Sequence, residues 1–267
     1  MGEDALVSLL PDAPAPRAVL TADGQSIATY EFGDDPDAPV VLAVHGFASS
    51  SIGNWLRTGW IRELGRAGYR VVALDQRGHG ASSKPHDPAA YTMPALVADV
   101  RAVIDTYLLD EVTFVGYSLG ARVGWHASLE LPVQIRRAVL GGIPDGDPLT
   151  RFQVPEAKAF LADGTPVTDR LTRAYLDMAA GVRGNDLVAL VALVEGMRGG
   201  AQPDPADPPR QPLLFATGSE DRILEASREL AAAAPAGDFF EIPGRNHFNA
   251  PTSRDFREAA LAFLART

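Results

Sequence analysis

The chain has 267 residues, 46% of them hydrophobic, which is ample for one large core with room for an insertion. Its 34 acidic and 24 basic residues give a net charge of -10, which repels phosphate backbones and anionic lipid and argues against nucleic-acid and membrane partners. With no cysteine, disulfides, thiolate zinc sites and a cysteine nucleophile are excluded.

Met1-Gly2-Glu3-Asp4 is acidic where a secretory signal needs positive charge, and no apolar run approaches a membrane span, so a cytoplasmic protein is expected. The Pro- and Ala-rich stretch Met1–Pro16 reads as a loosely held arm with one helical turn near Leu6–Leu10. Ala18–Thr21 and Ser26–Phe32 flank Ala22-Asp23-Gly24-Gln25, and Asp-Gly between β-compatible runs predicts a hairpin. Val40–Val44 is continuously apolar and β-branched, as a strand buried on both faces should be. It ends in His45-Gly46-Phe47, and a helix is predicted over Asn54–Ala67. Tyr69–Leu74 is the next buried strand, ending in Asp75-Gln76-Arg77-Gly78-His79-Gly80-Ala81-Ser82. Met93–Leu108 has the periodicity of an amphipathic helix, with Leu96, Val100, Val103, Ile104 and Tyr107 on one face.

Val112–Val115 then reads as a strand, and Ala121–Leu131 as a helix. Between them lies Gly116-Tyr117-Ser118-Leu119-Gly120. A serine on a sharp strand-to-helix turn takes a strained backbone, and glycine two residues before and after it avoids a collision. The turn lifts the hydroxyl above the sheet and leaves the Leu119 N–H at a helix N-terminus, where negative charge is favoured.

Ile135–Leu140 is a sixth strand. From Ile143 to Arg210 no strand pattern recurs, and helices are predicted over Glu156–Leu161, Asp169–Val182 and Leu187–Met197. The last is too apolar for an exposed helix, so the insertion is expected to pack onto the loops of the sheet. Ala201–Pro209 is a Pro-stiffened return linker. The sheet resumes with Pro212–Ala216, helix Ile223–Ala234, strand Asp238–Ile242 and closing helix Pro251–Ala265, with Pro251 in its first turn. Alternating strands and helices predict a mostly parallel α/β sheet of about eight strands, with helices on both faces. Working residues in such sheets sit beyond the carboxyl ends of strands.

Asp221 and His247 follow the last two strands. With Ser118 they supply the roles nucleophilic acyl transfer needs. A base takes the serine proton, an imidazole of ordinary pKa about 6.5 can take and return it near neutrality, and a carboxylate fixes the tautomer. At this point the chain resembles the α/β-hydrolase fold superfamily, in its cap-bearing, esterase-like serine branch. The resemblance covers nearly the whole chain. It rests on His45-Gly46-Phe47, the Asp75–Ser82 loop, Gly116–Gly120, and Gly218-Ser219-Glu220-Asp221 paired with Asn246-His247. It implies a Ser118–His247–Asp221 triad and an oxyanion hole from the N–H groups of Phe47 and Leu119. It implies a core of residues 1–142 and 211–267 under a helical cap of residues 143–210. Relatives that open epoxides or dehalogenate alkanes carry aspartate where this chain has Ser118, and the dienelactone branch uses cysteine.

Other polar residues read as structural. Glu220 is the alternative acid beside Asp221. His45 and Asp75 are expected to hold loops, and His79 to sit in a glycine turn. The Gly78–Ser83 loop lacks the third glycine of a dinucleotide fingerprint and runs into Lys84-Pro85, so nucleotide binding is rejected. His126 and His86 make no metal-ligand spacing with another histidine. Trp55, Trp60, Met178 and the Leu187–Met197 face read as core, and Tyr117 as lining the site. The expectation is a serine hydrolase for carboxylic esters of a small or medium apolar substrate, with no cofactor and no metal. Lactone, carbon–carbon bond, haloperoxidase or perhydrolase chemistry on the same fold remains an alternative, as does a ligand receptor with a relic triad.

Overall fold

The structure, a computed structural model, describes residues 13–144, 146 and 149–266, so the helical turn expected near Leu6–Leu10 lies outside the described residues. Eight strands form one sheet. They are β1 (Arg17–Leu20), β2 (Ser26–Phe32), β3 (Val40–Val44), β4 (Arg70–Leu74), β5 (Val112–Tyr117), β6 (Ile135–Gly141), β7 (Leu213–Gly218) and β8 (Gly237–Ile242). Their spatial order is β1-β2-β4-β3-β5-β6-β7-β8. The opening hairpin is antiparallel, β2 lies antiparallel to β4, and every later pairing is parallel.

The inner strands β3, β4, β5 and β7 are buried on both faces, which explains their largely apolar runs, whereas the edge strand β8 is mostly part-exposed. In β3 all five residues are buried. Val40, Leu42 and Val44 enter one core and Val41 and Ala43 the other, as the two-residue period requires. Helices α1 (Trp60–Arg66), α2 (Met93–Thr106) and α3 (Leu119–Glu130) connect the early strands. Leu96, Val100, Val103 and Ile104 of α2 are buried in the first core, and Trp60, Ile61 and Leu64 of α1 in the second.

Between β6 and β7 come three helices, α4 (Val154–Asp163), α5 (Arg170–Ala180) and α6 (Leu187–Met197), and among the described residues no strand. Asp186 caps α6 by accepting from the Val188 and Ala189 N–H groups. Ala189–Val194 and Met197 are buried, so α6 is enclosed on nearly every side. Helices α7 (Leu224–Ala233) and α8 (Arg254–Leu264) complete the fold.

Two predicted helices differ from the structure. The helix expected over Asn54–Ala67 is broken: Ile52–Leu56 forms a π-turn, and α1 begins at Trp60 after Gly59, which takes φ 86°. The break lets the Trp55 and Trp60 rings meet edge to face at 5.5 Å inside the second core. Pro251 is not in the first turn of the closing helix. It lies in a separate 3-10 turn, Ala250–Thr252, and Ser253 caps α8 by accepting from the Phe256 N–H. Among the described residues no helix is long and apolar enough to cross a membrane.

Candidate active site

Ser118 stands at the elbow between β5 and α3 with φ 53° and ψ -113°, a conformation that only its surroundings can hold. The flanking glycines are required by space. A Cβ on Gly116 would fall on the Gly120 carbonyl, and one on Gly120 would fall on the Val44 carbonyl. Gly46 is nearly as tight, since its Cβ would stand 3.2 Å from the Ser118 Cβ. The Ser118 N–H donates to the Gly141 carbonyl at 2.8 Å, fixing the elbow to the end of β6.

The loops after β7 and β8 bring Asp221 and His247 to the same place. The Ser219 N–H bonds the Ile242 carbonyl and the Glu220 N–H the Arg245 carbonyl, both at 2.9 Å, so the two loops travel together. Asn246 and Asn249 clasp each other, with Asn249 Oδ1 accepting from the Asn246 N–H and Asn246 Oδ1 from the Asn249 N–H. The Tyr117 hydroxyl donates to the His247 carbonyl at 2.6 Å.

Ser118 Oγ lies 2.8 Å from His247 Nε2, and His247 Nδ1 lies 2.7 Å from Asp221 Oδ2. With Nδ1–H donating to the carboxylate, Nε2 is left to accept from the serine hydroxyl, the tautomer a general base needs. Asp221 is 9% exposed and Ser118 is half-buried. Glu220, the alternative acid, is exposed and takes no part. Phe47 and Leu119 line the same chamber as Ser118, and Leu119 opens α3, where the first N–H groups have no partner within the helix. The arrangement can deprotonate a serine hydroxyl for attack on an electrophilic carbon.

His45, His79 and Asp75 hold the loops after β3 and β4 through hydrogen bonds to their backbone. His45 is fully buried. Its Nδ1–H donates to the Gly46 carbonyl at 2.7 Å, and its Nε2 accepts from the Gln76 N–H at 3.1 Å. His79 Nε2 accepts from the Ala48 N–H at 3.0 Å, holding the residue after Phe47 at φ 60°. Burial disfavours the charged form of both rings and lowers their pKa values, which suits acceptors for backbone N–H groups. Asp75 accepts from the N–H groups of Ser51 and Ala81 and from the Tyr30 hydroxyl. His86 bonds Asp186 at 2.8 Å across to the start of α6. His126 is partly buried within α3. Among the described residues no cluster of side chains could hold a metal ion.

Three hollows surround the imidazole, of about 80, 220 and 760 Å³, and Tyr175 and His247 line all of them. The 220 Å³ chamber is mainly apolar, with Leu119, Leu171, Leu193, Met197 and Ile223 on its wall. Met178 packs against the first core as expected and also lines the smallest hollow, and Leu193 and Met197 of the apolar helix, both buried in that core, also reach a cavity. The sequence reading missed Tyr175 and Phe248, whose rings lie 5.5 Å apart over the site. Helical periodicity puts Tyr175 on the buried face of α5 with Thr172, Leu176 and Ala179, but periodicity does not reveal what that face covers. Burial first, and the Asp221 charge second, push the Tyr175 phenol up to about 12.

The chain matches a family model described as alpha/beta hydrolase fold over residues 39–174. It is 36% identical over 148 residues to Epoxide hydrolase A of Mycobacterium tuberculosis, a match that covers 55% of this chain and 44% of that relative. The chain thus spans under half the length of that curated relative. Among solved structures it is similar to the enol-lactonase from Burkholderia xenovorans LB400, with a TM-score of 0.75 and 20% identity over 94% of this chain and 100% of the other. It is also similar to the CarC serine hydrolase of carbazole degradation, with a TM-score of 0.72 and 25% identity over 94% and 98% of the two chains. With its sheet order, its elbow and these matches, the chain belongs to the alpha/beta hydrolase fold family.

Proposed function

We propose that this hydrolase cleaves carboxylic esters through an acyl-enzyme on Ser118. The observation that carries the reading is the unbroken relay from Ser118 Oγ to His247 to Asp221, at 2.8 and 2.7 Å. His247 takes the hydroxyl proton as Oγ bonds to the ester carbonyl carbon. The Phe47 and Leu119 N–H groups hold the resulting oxyanion. His247 then gives its proton to the leaving alcohol, and the acyl-enzyme forms. Water, deprotonated by the same imidazole, releases the acid and restores Ser118. No step calls for a cofactor or a metal.

The relative's name, an epoxide hydrolase, suggests a different bond, and a serine as nucleophile speaks against it here. An aspartate opens an epoxide to an ester, which water can cleave at its carbonyl. Serine would give an ether with no carbonyl to attack. The serine favours acyl transfer, to linear or cyclic esters alike.

Residues 143–210 serve as a cap on a core of residues 1–142 and 211–267. Tyr175, Leu193 and Met197 support this, since they come from the inserted helices and line cavities beside Ser118. A chamber of about 220 Å³ walled by leucine and methionine favours a small or medium apolar group.

The test is hydrolysis of p-nitrophenyl esters from acetate to decanoate by wild type and by Ser118→Ala. Turnover by wild type with a loss of about 10⁴ or more in the variant is expected. Equal rates would remove Ser118 from the mechanism. A wild type inert toward every ester would turn the search to carbon–carbon substrates and to ligand binding.

A further inference from the structure

The smallest hollow beside Ser118, about 80 Å³, is walled mostly by apolar and aromatic side chains, Met178, Phe248 and Pro251 among them. Besides Ser118, His247 and the two tyrosines, Tyr117 and Tyr175, the polar side chains of Ser49 and Asn54 interrupt that wall. Asn54 sits in the π-turn Ile52–Leu56 and is 6% exposed. Its backbone is fully used: the N–H donates to the Ser50 carbonyl at 2.8 Å, and the carbonyl accepts from Thr58 Oγ1 at 2.5 Å.

The Asn54 carboxamide, in contrast, is unpaired. Its buried Nδ2 has no partner, and among the described residues no hydrogen bond reaches its Oδ1. Two neighbouring hydroxyls are engaged elsewhere. Ser50 Oγ accepts from the Gly53 N–H at 3.1 Å, and the Tyr117 hydroxyl is committed to the His247 carbonyl. A buried polar group without a partner is destabilising, a penalty that a leucine of similar shape would avoid. A π-turn is a rare backbone choice concentrated at functional sites. Both features are expected where a side chain is kept for a ligand and not for the fold.

We propose that the small hollow is a subsite for a short, oxygen-bearing group of the substrate, and that Asn54 is its hydrogen-bonding partner. The assignment rests on Ser118 being the nucleophile. A half-turn about χ2 exchanges the donor and acceptor ends of the carboxamide, so a hydroxyl, an ether or a carbonyl oxygen can be served. With the apolar 220 Å³ chamber also bordering Ser118, the substrate class is an ester with one apolar arm and one short polar arm.

The test compares kcat/KM for two matched pairs of esters. One pair is p-nitrophenyl pentanoate and p-nitrophenyl 3-methoxypropanoate, the other butyl butanoate and 2-methoxyethyl butanoate. Each pair exchanges one methylene for oxygen. After correction for the uncatalysed rates, wild type should favour the oxygen-bearing member of one pair by about tenfold. Asn54→Leu should bring that ratio to about one. The responding pair reports whether the subsite takes the acyl or the alcohol arm. A ratio of one in wild type, or a ratio that Asn54→Leu leaves unchanged, overturns the proposal. A second readout needs no turnover: the Tm of unliganded Asn54→Leu should rise, because an unpaired amide is replaced by an apolar side chain. A lower Tm means the carboxamide serves the fold, and overturns the proposal. If wild type cleaves none of these esters, the esterase reading fails, and the Tm alone decides for or against Asn54.

Discussion

The Tyr117 hydroxyl donates to the His247 carbonyl at 2.6 Å, so the residue before the elbow serine holds the loop that carries the imidazole. Burial, and then the Asp221 charge, hold this phenol in its protonated, donating form well above the usual tyrosine range. The bond therefore persists at every pH where an esterase would work. Tyr117→Phe removes the donor and keeps the ring. A neutral hydrogen bond of about 1 kcal/mol that positions the base should lower kcat by about fivefold and leave KM little changed. Steady-state kinetics of the variant on one ester check this.

The elbow is built from backbone contact, and its glycines have no room to spare. Gly120→Ala would press a Cβ into the Val44 carbonyl, and Gly116→Ala would press one into the Gly120 carbonyl. Neither obstacle is a flexible side chain that could swing aside. Each substitution should cost about 3 kcal/mol or prevent folding. Gly24→Ala is the control for a glycine with open space around it, although its φ of 79° adds a modest strain. Urea unfolding of the three variants gives the comparison.

The inner parallel strands and the elbow were legible because each is a local pattern: a largely apolar run, then glycines two residues either side of a serine. The spacing of Asp221 and His247 after strands was legible for the same reason. What could not be read was pairing across distance. Arg77 was visible as part of a loop motif, but its partner Asp99 lies on α2, where it looks like any polar residue of an amphipathic helix. Tyr175 and Met178 read as ordinary members of an apolar helix face. Only the packing of α5 against the loop of Phe47 turns that face into cavity wall, with the Phe47 and Tyr175 rings 5.4 Å apart. The break at Gly59 was hidden because the flanking Trp55 and Trp60 fit a helical pattern as well as they fit the observed π-turn and helix.

Arg77 and Asp99 form a buried, two-pronged pair: Nε donates to Oδ2 at 2.7 Å and an NH2 nitrogen to Oδ1 at 2.6 Å, with both side chains almost fully enclosed. Arg77 also donates to Asp23 and to the Ala90 carbonyl. The one guanidinium thus ties the loop after β4 to α2 and to the opening hairpin. Asp99→Ala leaves its charge partly uncompensated in the interior. It should destabilise the protein by about 3–5 kcal/mol. Chemical denaturation of the variant beside wild type measures it.

Neighbouring carboxylates have unequal parts in the proposed mechanism. Asp221 is buried against His247 and Glu220 points outward. Asp221→Asn keeps the shape but favours the wrong imidazole tautomer, and should lower kcat by about 10⁴. Glu220→Gln should stay within about twofold of wild type, since no catalytic atom depends on it. A large loss in Glu220→Gln with little loss in Asp221→Asn would reverse the assignment.

His126 should leave a signature in the pH dependence of stability. Its pKa is pushed down to about 4, by burial first and by the charge of Arg122 one turn earlier second. Its Nε2 is buried and has no hydrogen-bond partner among the described residues. In the unfolded chain a histidine titrates near about 6.5. Between these two values the unfolded chain binds more protons than the folded one, so acid favours unfolding. The stability that depends on neutral His126 is fully present above about pH 6.5 and is lost as the pH falls toward 4, with a slope of at most about 1.4 kcal/mol per pH unit. His45 and His79 are shifted in the same direction, so the slope of wild type is composite. The difference between wild type and His126→Leu isolates one residue. Urea unfolding at pH 7.5, 6.0 and 5.0 should show the variant gaining on wild type at each step downward. A constant difference across that range would mean that folding leaves the His126 imidazole as easy to protonate as it is in the unfolded chain.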